Sequence, residues 1–159
     1  MSHQPQLTGS DRGDVLSLPW ELPLEDWPAN VLVALPQGIS RHTVRFAQVG
    51  DDVVAVKETT SEMASREFDL LRQLRKRGVP AVKGIAVVTD RRDGAGEDLP
   101  SALITKHLRF SMPYRAVFSK TLRPDTATRF VDAMAVLLVR LHLSGFYWGD
   151  VSLSNVLFR

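Results

Sequence analysis

The chain has 159 residues, 44% of them hydrophobic, a formal net charge of +2 and no cysteine. That is enough length for one domain with an extension and for a buried core. It excludes a disulfide framework and a thiolate metal site, and no apolar run is long enough to span a bilayer. The N-terminus lacks a basic-then-apolar signal pattern, so a cytoplasmic location is expected. The four histidines, His3, His42, His107 and His142, show no zinc-like spacing.

Residues 1 to about 13 are polar and read as a disordered start. Residues 14–30 hold three prolines and two tryptophans, too many prolines for a regular helix. Trp20 and Trp27 are expected to pack this extended arm onto the domain, with a protein-binding arm as the alternative. V-L-V-A-L (31–35), T-V-R-F-A-Q-V (43–49) and V-V-A-V-K-E (53–58) read as strands of a meander, the last two joined by a tight G-D-D turn. A helix follows, with Thr59 and Glu62 at capping-box spacing. Gly78 and Pro80 close it, and Arg75, Lys76 and Arg77 stand at its negative pole. Two further strands are expected near 84–90 and 101–107, separated by the loop R-R-D-G-A-G-E-D. Residues 109–124 read as irregular. Asp125 then caps an apolar helix to about Ser144, closed by Gly145 and apolar on enough faces to be buried.

The chemistry begins at Lys57 and Glu67. Side chains alternate along a strand, so Ala55 and Lys57 share one face and Glu58 belongs to the other. At about 100° per residue, Glu67 falls in the middle of a helical stripe made by Met63, Leu70, Leu71 and Leu74. A carboxylate on an apolar face needs a partner, and Lys57 is the candidate. The pair is either a plain interior ion pair or a phosphate-binding lysine held by its glutamate. Further on, Asp150 and Asn155 follow the apolar helix. A carboxylate can accept the proton of an attacking hydroxyl, and an amide oxygen five residues later can bind a magnesium ion. Equally, Asp150 can cap a turn and Asn155 can favour a loop.

The order of these pieces carries more than any one of them: a meander, V-A-V-K, a helix presenting one inward Glu, two strands, a connector, a helix ending L-H-x-x-G, then W-G-D-V-S-L-S-N-V-L-F. Over roughly residues 30–159 the chain resembles the protein-kinase-like superfamily from its N-terminal lobe to its catalytic loop. Gly-Asp-x-Ser-x-x-Asn is similar to RIO-type atypical kinases. The short gap from Lys57 to Glu67 and the L-H-x-x-G helix end resemble lipopolysaccharide kinases and aminoglycoside phosphotransferases, most of all an actinobacterial family of uncharacterised lipopolysaccharide-kinase-like proteins.

The resemblance implies an α+β fold with a five-stranded antiparallel N-lobe sheet, one αC-type helix, and the first buried helix and catalytic loop of a C-lobe. Its divisions are an arm at 1–29, an N-lobe at 30–108 and an incomplete C-lobe at 109–159. It implies ATP and Mg2+ as cofactors. Lys57 is then the phosphate-binding lysine, Glu67 its partner, Asp150 the catalytic base and Asn155 a metal ligand. Val44 and Ala55 line the adenine pocket, and Lys106, His107 and Leu108 form the hinge that bonds adenine through its backbone. His142 is expected to be structural, and Trp148 to pack under the catalytic loop.

Two departures stand out. G-I-S-R-H-T-V offers only Gly38 where a glycine-rich phosphate loop belongs, leaving Ser40, Arg41 or His42 as substitutes, and no second metal-binding aspartate follows Asn155. The sequence therefore reads as the N-terminal portion of a longer phosphotransferase acting on a small-molecule, sugar or lipopolysaccharide-type hydroxyl, and inactive alone. A RIO-like protein kinase and a non-catalytic nucleotide-binding module are the alternatives. The exposed C-lobe helix invites self-association. The run R-Q-L-R-K-R-G is too short, and too poor in aromatics, for a nucleic-acid site.

Overall fold

A computed structural model describes residues 4–9, 13–35 and 42–159 of the chain. In chain order the elements are β1 (Gln6–Gly9), α1 (Gly13–Leu16), a 3-10 turn (Leu24–Asp26), β2 (Val44–Val49), β3 (Asp52–Thr59), α2 (Ser61–Lys76), β4 (Gly84–Thr89), β5 (Arg91–Arg92), β6 (Asp98–Leu99), β7 (Ser101–Lys106), β8 (Met112–Pro113), α3 (Tyr114–Phe118), α4 (Pro124–Leu143) and β9 (Leu157–Phe158). They form two compact units. The first comprises residues 1–73 and 81–107, the second 74–80 and 108–159. The fold is α+β, and its main sheet is five-stranded and antiparallel, in the order β1-β4-β7-β3-β2.

Two members of that sheet differ from expectation. Residues 31–35 make no strand. Leu32 forms one isolated bridge to Ala47, flanked by hydrogen bonds from Val33 N–H to Phe46 O (2.8 Å) and from Gln48 N–H to Val31 O (3.1 Å). The apolar side chains Val31 and Leu32 are satisfied by packing against the core instead of by a ladder. The fifth strand is β1, inside the stretch expected to be disordered. Its four residues, of which only Leu7 is a large apolar one, pair with β4 from Gln6–Thr89 to Gly9–Ala86. Ladder bonds come from the backbone and need no apolar pattern, so hydropathy alone misses such a strand. Gly9 makes the pairing possible: its φ is +147°, and a Cβ there would sit 2.4 Å from Ile85 O.

The sheet has two differently covered faces. On one, Ala64 and Phe68 of α2 pack on Val87 and Leu103. The stripe α2 buries is thus Ala64 and Phe68, with Leu71 and Leu74 of the expected stripe half-buried, while its other two members, Met63 at 53% and Leu70 at 39%, are exposed. The helix also starts one residue late. Thr60, not Thr59, caps it, its hydroxyl accepting from Met63 N–H at 3.3 Å, and Thr59 remains in β3. At the other end Gly78 (φ +68°) closes a Schellman motif, with Val79 N–H on Leu74 O (3.0 Å) and Gly78 N–H on Arg75 O (3.1 Å).

The opposite face is covered by the arm. Far from being extended, it winds through α1 and the 3-10 turn, and buries Val15, Leu18, Trp20, Leu24 and Trp27 on Val54, Val56, Ala86, Val88, Ala102 and Ile104. The two indoles meet edge to face, centroids 5.2 Å apart. Trp20 Nε1 donates to Val15 O (2.8 Å) and Trp27 Nε1 to Leu22 O (3.2 Å), so both rings are buried with their polar atoms satisfied. That excludes the indoles as a free protein-binding surface.

The expected loop R-R-D-G-A-G-E-D is a two-stranded ribbon, β5 on β6. At its tip Asp93 Oδ1 accepts from Ala95 and Glu97 N–H, both at 2.9 Å. Its first residue, Arg91, turns inward and is 1% exposed. Arg91 Nη1 meets Glu58 Oε1 at 2.8 Å and Pro100 O at 2.7 Å. Nη2 donates to Leu22 O (2.6 Å) and Nε to Trp20 O (3.1 Å). Glu58 Oε1 also accepts from Leu24 N–H at 3.0 Å.

In the second unit α4 is less buried than its composition suggests. Leu141 is buried, whereas Val131, Val136, Val139 and Leu143 are exposed. Pro124 opens the helix behind Arg123, and Asp125, expected as the cap, pairs with the Arg123 side chain instead (3.4 Å). Among the described residues no helix is long and apolar enough to cross a membrane.

The face assignment of α2 is checked by urea unfolding. Phe68→Ala is expected to cost about 3–5 kcal/mol, whereas Met63→Ala should stay within about 0.5 kcal/mol.

Candidate functional site

Lys57 lies opposite Val44 of β2 and Leu103 of β7 in the sheet register. Alternation therefore puts Val44, Phe46, Ala55, Lys57, Leu103 and Thr105 on one face, the face carrying α2. Leu103 is buried under the helix, while Val44, Phe46, Ala55 and Thr105 are half-buried, leaving an open apolar shelf beside the lysine. Phe46 sets its ring edge against His107, centroids 5.3 Å apart. Phe46 and Thr105 were not singled out in the sequence, although the period-2 pattern that marks Val44 marks Phe46 as well.

Lys57 Nζ donates to Glu67 Oε2. The partnership expected from the sequence is present, but for a different reason. The side chains are 26% and 41% exposed, so the glutamate is not forced to pair by burial. It stands at the border of the buried stripe, one position before Phe68, and reaches across to β3. A pair this open contributes about 1 kcal/mol or less to stability. Its lysine keeps donors to offer to a further anion, because an ammonium has three.

Residues 106–108, expected as an adenine-binding hinge, have their backbone donors largely engaged. Lys106 N–H donates to Lys83 O (2.8 Å), and His107 N–H to Val53 O (3.0 Å). Lys106 Nζ pairs with Asp52 at 2.9 Å. Both backbone donors are spent inside the first unit, which limits Lys106 and His107 to their carbonyl groups in any backbone recognition of a base. Leu108 O accepts from Ser111 Oγ at 2.6 Å, and among the described residues the Leu108 N–H has no acceptor assigned to it. Of the expected phosphate loop, Gly38, Ser40 and Arg41 lie outside the described residues. His42 is exposed.

In the second unit α4 ends as α2 does. Gly145 (φ +83°) closes a Schellman motif, with Phe146 N–H on Leu141 O (3.0 Å) and Gly145 N–H on His142 O (2.9 Å). The two helix ends exchange arginines. Arg77 donates to Ser144 O and lies over the Phe146 ring, 4.8 Å from its centroid, while Arg140 donates to Gly78 O at 3.3 Å. A cation at each carbonyl-rich terminus is favourable, and it accounts for Arg77 without nucleic acid. His142 is exposed and stacks on Tyr147 (5.9 Å between centroids), and Trp148 is half-buried.

The loop after that turn is braced from the connector. Tyr114 N–H donates to Val156 O (3.0 Å), Arg115 N–H to Leu153 O (2.9 Å) and Arg115 Nε to Ser154 Oγ (2.9 Å). β8 pairs with β9, and Val156 is buried. Within the braced loop Asn155 Nδ2 donates to Asp150 O at 3.2 Å. Asp150 and Asn155 are both exposed. The amide nitrogen is spent on the loop, which turns the amide oxygen outward as an acceptor. No group of three or more His, Asp or Glu side chains able to cage a metal occurs among the described residues. A magnesium ion that arrives on nucleotide phosphates needs only one or two protein oxygens, and Asn155 Oδ1 fits as one of them.

Residues 45–159 match the lipopolysaccharide kinase (Kdo/WaaP) family. The chain belongs to that family. No curated protein and no solved structure gives a match. The matched span of this kinase family contains Lys57, Glu67, Asp150 and Asn155, and starts after the tryptophan arm.

Bracing of this loop has a titratable witness. Tyr114 packs with Phe118, Phe130 and Phe158, and burial pushes its phenol above the ordinary 10.0. A raised folded-state pKa gives stability that is full below the unfolded value and is lost as pH rises through the folded one. Stability of the wild type should therefore fall above about pH 10, and Tyr114→Phe should flatten that fall in alkaline denaturation monitored by circular dichroism.

Proposed function

We propose that the chain carries the nucleotide-binding and catalytic residues of a phosphotransferase that moves the γ-phosphoryl group of ATP to a hydroxyl of a sugar, lipopolysaccharide-type or other small-molecule acceptor. The observation that carries this reading is the Lys57–Glu67 pair on the half-open face of the sheet. In it Lys57 binds phosphate oxygens and Glu67 aims the ammonium at them. The shelf of Val44, Phe46 and Ala55 accepts the base. Backbone recognition falls to the Leu108 N–H and to the Lys106 and His107 carbonyls.

Asp150 accepts the proton of the acceptor hydroxyl as its oxygen bonds to the γ-phosphorus and the bond to the ADP oxygen breaks. Magnesium, when bound, neutralises charge on the phosphates, and Asn155 Oδ1 would hold it. Family membership supports phosphoryl transfer as the reaction class, and the lipopolysaccharide-type acceptor is the finer part of the proposal.

The test is phosphate transfer from labelled ATP to purified lipopolysaccharide and to its component sugars, alongside calorimetric titration with MgATP. Asp150→Ala is expected to lose about 10²–10³-fold in transfer while keeping nucleotide binding. Lys57→Ala should lose both. Binding without transfer to any acceptor would favour a non-catalytic nucleotide module, transfer to protein alone a RIO-like kinase, and absence of both would overturn the reading.

A further inference from the structure

We infer that Arg91, Glu58 and the tryptophan arm form a latch on the back of the sheet that positions Lys57, so that docking of the arm and binding of nucleotide phosphate are coupled. The inference rests on the proposed role of Lys57 and adds positioning residues to it.

Lys57 and Glu58 are neighbours on β3 and point to opposite faces. Each carboxylate–cation pair therefore holds the same stretch of backbone from its own side: Glu67 from α2, Arg91 from β5. The two anchors differ in kind. The front pair is open to solvent, at 26% and 41% exposure, and is easily rearranged. The back pair is enclosed, at 0% and 10%. Arg91 there meets four acceptors drawn from the arm, β3 and the residue before β7: Trp20 O, Leu22 O, Glu58 Oε1 and Pro100 O. Its guanidinium also lies over the Trp20 ring at 5.5 Å.

A planar guanidinium with its donors engaged fixes direction as well as distance. Moving the arm would uncover both charges, strip Arg91 of two of its four acceptors and Glu58 of the Leu24 N–H, so a seated arm holds β3 at Glu58 and a displaced arm loosens it there. A shift at Glu58 is a shift at Lys57, because one peptide unit joins them. The family match begins at residue 45, so it covers Glu58 and Arg91 but not the arm they grip.

The experiment uses the full chain and reads MgATP affinity by calorimetry, tryptophan emission, and hydrogen exchange along β3 and β7. Arg91→Met and Glu58→Gln are expected to shift emission of Trp20 and Trp27 to the red and to weaken MgATP by about tenfold. They should also speed exchange at Ala55 and Lys57, while the amides of β4, on the far side of β7 from β3, stay protected. Val88→Ala, which thins the same buried face two strands across from Glu58, should leave affinity within about twofold.

Red-shifted emission with unchanged exchange at Ala55 and Lys57 would overturn the latch. So would equal loss of affinity in Val88→Ala. If Arg91→Met fails to fold, Glu58→Gln carries the same readings. If the wild type binds no nucleotide, the phosphotransferase reading falls, and the exchange measurement alone decides whether the arm holds β3.

Discussion

Enclosing an arginine and a glutamate together inside a small sheet constrains everything packed around them, because neither charge can be left without its partners. Losing one member of such a pair costs about 3–5 kcal/mol, a large share of the stability of a typical domain. Glu58 and Arg91 meet that condition with help from three carbonyl oxygens and one backbone N–H. Those helpers come from the arm and from the residue just before β7, so the pair determines where the arm lies, which face of β3 is the back and, by alternation, which face presents Lys57.

The division of labour between the two faces follows from this. The back is dry, apolar and closed by two indoles. The front carries the helix, the half-open shelf and an ion pair weak enough to admit a third charge. Strong, enclosed electrostatics serves geometry, and loose, hydrated electrostatics serves binding. In the second unit hydrogen bonds do the corresponding work. The turn after α4 is closed by a glycine and tied down by Arg77, and the loop carrying Asp150 and Asn155 is held by Tyr114 and Arg115 from the connector.

Much of this was legible in the chain because short-range rules govern it. Alternation in V-A-V-K separates Lys57 from Glu58, and glycines at 78 and 145 stop two helices. Residues 44–49, 52–59, 84–89 and 101–106 become strands at nearly the limits their patterns suggest. The stripe that points to Glu67 is only half buried, through Leu71 and Leu74, and the pairing survives because a glutamate on the border between faces reaches Lys57 as well as one in the middle would. What was not legible is long-range. Nothing local marks Gln6–Gly9 as a strand, since its reason for pairing lies in β4. Nothing in R-R-D-G-A-G-E-D tells that the first arginine turns inward and the second outward. That choice is made by Glu58, 33 residues away. The cap of α2 moved from Thr59 to Thr60 because β3 kept Thr59 for its ladder with Ser101.

The arm also sets an order of events on the ribosome. It is made early, yet its main anchor, Arg91, is made 71 residues after Trp20. At about 5–20 residues per second the Trp20 indole waits roughly 4 to 14 seconds before the guanidinium that will lie over it exists. During that interval the nascent chain displays an apolar segment with no surface to seat it, the kind of exposed stretch that chaperones hold. The arm is therefore made well before the residue that secures it, and the vulnerable phase of this protein's life precedes the completion of its sheet.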